Sequence, residues 1–131
     1  GNDKATIVTD TGVISDDILR RIDDTTLLVL EANYDPHMLR FGPYQPFLKQ
    51  RVASDEGHLS NEMAAQALLM MKRPDFMQVI LAHRSENNNN SVLVTQTIGK
   101  MLVDGGVRIG PEMKLQHGQP NEIVSIQSVK R

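Results

Sequence analysis

Two side chains able to hold a cation or relay a proton stand at the carboxyl ends of expected strands. Asp10 follows the β-branched run Ala5 to Thr9, and His83 follows the apolar run Met77 to Ala82. In open α/β sheets that edge binds ligands, because its loops display side chains above a rigid frame. A carboxylate and an imidazole meeting there suit a divalent metal, or a base with its orienting partner. Plainer readings stay open, with Asp10 capping a turn and His83 hydrogen-bonded in the core. A second group, Gly57-His58-Leu59-Ser60-Asn61, lies immediately before an expected helix, whose free N–H groups and dipole attract anions. His58, Ser60 and Asn61 are therefore candidate phosphate donors; an ordinary N-cap beside a surface histidine is the alternative.

Glu31-Ala32-Asn33-Tyr34-Asp35 forms a third group, directly after a buried strand. Polar groups so placed are costly unless hydrogen-bonded or near a cation. Glu31, with Asn33 beside it, would orient a ligand histidine and not bind metal itself. Asn33 and Asp35 equally suit Asx-turn chemistry ahead of Pro36. Lys49, Arg51, Lys72, Arg73 and Arg84 could form a strip for a polyanion or merely a solvated face, while His37 and His117 have no companion at ligand spacing.

The elements that must position these groups alternate. After the first strand, Ser15-Asp16-Asp17 marks a helix start with Ile18, Leu19 and Ile22 at helical spacing. Leu27 to Leu30 is apolar on consecutive positions, as in a strand buried on both faces. Pro36 and Gly42-Pro43-Tyr44 split the next stretch into two short helices. Ser60 to Met71 predicts a helix capped by Ser60, and the tract Asn87 to Asn90 leads into another from about Ser91 to Val103, ended by Gly105-Gly106. Val107 to Arg131 predicts turn-linked strands, the last from Ile123 to Val129. The class is α/β with a mixed sheet flanked by helices, and residues 1–131 form a single unit without internal repeat or linker.

The composition narrows the chemistry. With 131 residues, 40% of them hydrophobic, the chain can bury one core. The absence of cysteine excludes disulfides, thiolate zinc sites and a thiol nucleophile, so any metal rests on His and carboxylates. A net charge of −2 argues against a general electrostatic coat for nucleic acid. No apolar run reaches the roughly 18 residues of a membrane span, so the expectation is a cytoplasmic protein with no membrane partner. Gly1 opens almost directly onto a strand pattern, which suggests an excerpt of a longer chain or a cloning remnant. Asp10-Thr11-Gly12 also matches the triplet of aspartic proteases, but those folds are almost wholly β and this chain carries several strong helical patterns.

Taken in order, Val8-Thr9-Asp10-Thr11-Gly12, Leu30 to Asp35 with Met38-Leu39, Gly57 to Asn61, and Leu81-Ala82-His83-Arg84-Ser85-Glu86-Asn87-Asn88 resemble metallo-β-lactamase-fold hydrolases. The likeness is to the YycJ/WalJ-like branch, small bacterial phosphodiesterases regarded as DNA exonucleases, and spans roughly residues 5 to 103. It implies that Asp10 bridges two divalent metals, zinc or manganese, and that His83 is a terminal metal ligand. It also implies that His58 helps hold the scissile phosphate, with Ser60 and Asn61 as neighbouring donors, and that Glu31 is a supporting acid. Asp10 and His58 are then the catalytic candidates, and water activated between the metals attacks phosphorus.

The departure is large, because the signature H-x-H-x-D-H is absent and no two of His37, His58, His83 and His117 are close in sequence. What remains corresponds to the C-terminal half of an αββα sandwich. The expectation is therefore part of a metal-dependent nuclease acting on DNA or RNA, completed by an N-terminal half in the same or another polypeptide or by self-association. Alone it would bind metal poorly or not at all and catalyse little. The rival is a non-catalytic module that binds phosphate or nucleic acid, or serves assembly, and has lost the metals.

Overall fold

The computed structural model describes residues 3–118. Its elements are β1 (Ala5–Val8), α1 (Asp16–Ile22), β2 (Leu27–Glu31), α2 (Pro36–Phe41), α3 (Pro46–Ala53), α4 (Asn61–Met70), β3 (Met77–Ala82), α5 (Ser91–Asp104) and β4 (Met113–His117). The helix starts follow from local chemistry. Side-chain oxygens of Ser15, Asp35, Ser60 and Asn90 accept from the backbone N–H three residues on, and Pro36 and Pro46 occupy first-turn positions where no N–H is needed.

All four strands are parallel and lie side by side in chain order. Parallel neighbours need crossovers, which the helices between them provide. The register stacks Thr6, Leu28, Val79 and Leu115 in one row and Val8, Leu30, Leu81 and His117 in the next row on the same face. Most of these apolar residues join Ile22 of α1, Ala64 and Leu68 of α4 and Val94, Ile98 and Leu102 of α5 in the main core. The α5 residues recur every four positions, so one stripe of that helix is buried. On the other face Ile7, Val29 and Ile80 align; Ile7 is 71% exposed, Val29 half-buried and Ile80 buried outside the main core. A smaller core of Tyr34, Leu39 and Val52, with Tyr44 against it, joins α2 to α3.

Several boundaries and one topology differ from the sequence expectation. β1 ends at Val8, because the chain turns at Asp10 with positive φ. α4 runs from Asn61 to Met70, with Ser60 and Met71 as its caps and not as helical residues. β4 reaches β3 through α5 and pairs parallel with it, so it is not the arm of a hairpin. The antiparallel member that a mixed sheet requires is not among the described residues, and the expected strand from Ile123 to Val129 lies outside them. No described helix is long and apolar enough to cross a membrane.

Candidate metal centre

The carboxyl ends of β1, β2 and β3 lie side by side, and the loop before α4 runs beside β2. Tyr34 and Ser60 form a parallel bridge, Asn33 N donates to Leu59 O at 3.0 Å, and Asn61 N donates to Tyr34 O at 2.9 Å. Residues 58–61 thus continue the sheet edge as a short appended segment. This arrangement gathers Asp10, Glu31, His58 and His83, whose ligand atoms all lie within 4.8 Å of one another.

Glu31 is the pivot of this group. It is fully buried, and one oxygen, Oε1, meets Nδ1 of His58 at 2.8 Å and Nδ1 of His83. Its other oxygen accepts from Leu59 N at 3.1 Å. A buried carboxylate is tolerable only when paired and hydrogen-bonded in this way. An ionised carboxylate is only an acceptor, so an ionised Glu31 takes a proton from each Nδ1, and a neutral ring so held has its lone pair on Nε2. The two rings stand edge to face, with centroids 5.2 Å apart. Asp10 Oδ1 lies 3.5 Å from His83 Nδ1 and 3.8 Å from His58 Nδ1, on a side chain 70% exposed.

Asp10 and His83 both have left-handed backbones, with φ of 58° and 59°. For residues other than glycine this costs roughly 1–3 kcal/mol and persists only where the surroundings enforce it. Asn33 enforces it at His83: its Nδ2 donates to His83 O at 2.8 Å, while its own carbonyl accepts from Ser85 N at 2.8 Å. Two glycines seat the neighbouring loops. A Cβ at Gly12 would lie 1.6 Å from Ser54 O, and one at Gly57 would lie 2.2 Å from Arg51 O. Only a bare backbone lets the Asp10 loop and the His58 loop pack this closely on the end of α3.

The remaining sequence candidates occupy other places. Ser60 is buried and its Oγ caps α4 by accepting from Met63 N. Asn61 is fully buried and exchanges two hydrogen bonds with Asn89, at 3.0 and 2.8 Å, while Asn89 Nδ2 also donates to Ala32 O. Asp35 caps α2. His117 is apart from the cluster, bonded to Thr95 Oγ1 at 2.9 Å; burial first, then Arg84, pushes its pKa down. Burial, then the nearby Glu62 charge, pushes the Tyr34 hydroxyl up.

Asn89, Gly12 and Gly57 were not singled out individually by sequence reasoning. For Asn89 the available signal was the Asn tract itself: Asn90 is the helix cap, so the amides before it had to be satisfied elsewhere.

Two cavities adjoin at His58. One, of about 300 Å³, is lined by Asn33, Tyr44, His83 and Arg84 among others. The other, of about 260 Å³, is lined by Asp10, Arg51, Glu56 and Gly57 among others.

Fold and site together define a class: a parallel α/β layer whose strand ends present two imidazoles and two carboxylates able to hold a metal ion. Within that class the chain is similar to proteins named exodeoxyribonuclease. It is 34% identical over 128 residues to exodeoxyribonuclease YycJ of Bacillus anthracis, covering 98% of this chain and 48% of that protein. It is also 34% identical over 115 residues to exodeoxyribonuclease WalJ of Streptococcus pneumoniae, covering 88% of this chain and 43% of that one. The chain therefore spans a little under half the length of these relatives. No family model matches the chain, and no solved structure matches it.

Proposed function

We propose that this chain supplies part of the active site of a metal-dependent phosphodiesterase acting on nucleic acid, in a half metallo-β-lactamase-type sandwich. The observation that carries the reading is the fully buried Glu31 engaging both imidazoles beside Asp10. Such a carboxylate–histidine arrangement is what a metal site uses to fix ring orientation and raise ligand basicity. The donor set of imidazole nitrogen and carboxylate oxygen fits zinc or manganese.

In this reading Asp10 and His83 would hold metal, and Asp10 would serve both ions if two are bound. Bound divalent ions supply Lewis-acid stabilisation of charge developing on the phosphoryl oxygens. Glu31 keeps the Nδ1 proton on both histidines. His58 then presents its Nε2 side to the phosphate, and protonation there would add a charge-assisted hydrogen bond. Asn33 holds the His83 backbone. Ser60 and Asn61 act from behind, by starting α4 and tying its first turn to Asn89.

A complete dinuclear centre needs more ligands than this cluster, the one such group among the described residues. The partner is therefore further chain, in the same or another polypeptide, or a second copy, seated over the sheet face that carries Ile7 and Val29. The length shared with the exodeoxyribonuclease relatives supports the first of these.

The test is hydrolysis of a 5′-labelled oligodeoxynucleotide by the protein at its native length, with Mn²⁺, with Zn²⁺ and with EDTA. Metal-dependent cleavage lost in both Asp10→Asn and His83→Ala is expected. Cleavage indifferent to chelator and to both substitutions would refute the reading. Phosphate or oligonucleotide binding without metal uptake would favour a non-catalytic module.

A further inference from the structure

Lys49, Arg51, Lys72, Arg73 and Arg84 together would suit a polyanion, and the structure sorts them into two groups. Arg73 Nη1 donates to Leu68 O and Leu69 O at the end of α4. Lys72 pairs with Asp24 at 3.6 Å, and Lys49 Nζ donates to Arg40 O at 2.7 Å. These three are engaged in the fold. The guanidinium groups of Arg51 and Arg84 have no hydrogen-bond or ion-pair partner among the described residues.

Both line cavities that adjoin at His58: Arg84 in the one with Tyr44, Arg51 in the one with Asp10. Each cavity also carries one carboxylate, Glu86 or Glu56, and neither forms an ion pair with its arginine. Unpaired guanidinium groups on both arms of a site built around an imidazole suit a chain of phosphates better than a single one. Arginine grips phosphate oxygens in a bidentate manner, and an aromatic ring beside it offers a stacking surface for a base.

We infer that Arg51 and Arg84 form a two-armed phosphate clamp that holds a single nucleic-acid strand on either side of the reacting phosphate. Tyr44 lines the Arg84 arm as its base-stacking surface. The inference rests on the phosphodiesterase reading and assigns the side chains that would grip the substrate strand on either side of its reacting phosphate.

The experiment measures binding of a fluorescein-labelled single-stranded oligodeoxynucleotide by anisotropy, in EDTA, over a series of salt concentrations, with the protein at native length. For single strands each neutralised phosphate contributes a slope of about 0.7 in log K against log salt. Arg51→Gln and Arg84→Gln should each reduce the slope by about 0.7, and the double variant by about 1.4. Arg→Lys at either position should restore most of it. Lys100→Gln, on the far end of α5 where Lys100 pairs with Asp104, should leave it unchanged. A slope unaltered in both arginine variants, or no binding by the wild type, would overturn the clamp.

Hydrolysis of bis(p-nitrophenyl) phosphate with Mn²⁺ separates the two claims. If the clamp is right, the arginine variants raise KM for the oligonucleotide far more than for the small diester. Altered salt slopes with no metal-dependent hydrolysis of either substrate would sink the phosphodiesterase reading and leave the clamp standing.

Discussion

Replacing Glu31 with glutamine tests the logic of the site with almost no change in shape. Glu31 accepts three hydrogen bonds, from Nδ1 of His58, Nδ1 of His83 and Leu59 N. A glutamine whose oxygen stays toward the histidines sets its NH₂ against the Leu59 N–H, donor against donor. Turned over, its oxygen accepts from Leu59 and its two N–H groups donate to both imidazoles. That second arrangement satisfies every group only if both histidines shift their protons to Nε2. Stability should therefore fall modestly. Three charge-assisted bonds become neutral ones, a loss of about 1 kcal/mol each. Removing a fully buried charge offsets part of this, so a net loss of about 1–3 kcal/mol is expected.

Metal affinity should fall more clearly, because a proton on Nε2 blocks the lone pair that a metal would take; outer partners of this kind are worth about 10–100-fold. Urea unfolding gives the first quantity and isothermal titration with Zn²⁺ the second. The ¹⁵N shifts of His58 and His83 report which nitrogen is protonated. Unchanged metal affinity in Glu31→Gln, with both histidines still protonated at Nδ1, would refute the assignment of Glu31 as the group that sets the tautomers.

Asp10→Asn should leave metal-free stability within about 0.5 kcal/mol, since its carboxylate is largely exposed, yet remove most of the stabilisation against urea that metal gives the wild type, about 2.7 kcal/mol at 100 times Kd; equal stabilisation of both proteins would count against Asp10 as a ligand. Asn89→Ala strands two buried amide groups of Asn61 and should cost about 1–3 kcal/mol, with a double-mutant cycle against Asn61→Ala giving coupling of at least about 0.5 kcal/mol; additive losses would mean the pair is incidental. Burial and Arg84 hold the folded pKa of His117 below its unfolded value, so the unfolded chain binds the proton first. The stability from His117 is therefore complete above about pH 6.5 and is lost as pH falls through the depressed folded value; His117→Gln should make that acid-side decline shallower, and an unchanged pH profile would exclude the effect. Ile7→Lys should change unfolding by less than about 0.5 kcal/mol because Ile7 is mostly solvent-exposed, but should weaken association with whatever covers that sheet face, as read by sedimentation at native length; unaltered association would move the interface elsewhere.

The alternation of helices and buried strands was legible because periodicity and capping residues act locally. Ser15, Ser60 and the Asn tract each announced a helix start that the structure contains. The parallel pairing of β4 was not legible, since strand direction is decided by the crossover and not by the strand's own residues. At the site, residue type and position at strand ends pointed to Asp10, Glu31 and His83, and position just before a helix pointed to His58; the fold brings these four together. The functions of Asn61 and Asn89 could not be read locally. Each amide is satisfied by the other across 28 positions of chain, and a helix-start asparagine looks the same whether it faces a ligand or a second asparagine. The same limit held for the five cations: only tertiary packing shows that Lys49, Lys72 and Arg73 are engaged while Arg51 and Arg84 are not.

The costs concentrated at this edge explain why so many polar contacts converge behind it. A fully buried carboxylate and two left-handed backbones would each favour local rearrangement. Against that stand contacts from three separate segments. Asn33 fixes His83 from the segment after β2, the Asn61–Asn89 pair ties α4 to the loop before α5, and Gly12 with Gly57 lets two loops pack on the end of α3. A histidine or an aspartate alone at a strand end could be a cap or a core residue. Strained backbones held by contacts from several elements, all around one shared carboxylate, make sense when that geometry is itself what must be kept. The same reasoning accounts for the exposure of Asp10: the support lies behind the cluster, and the side open to ligand is left to the residue whose charge a cation would neutralise.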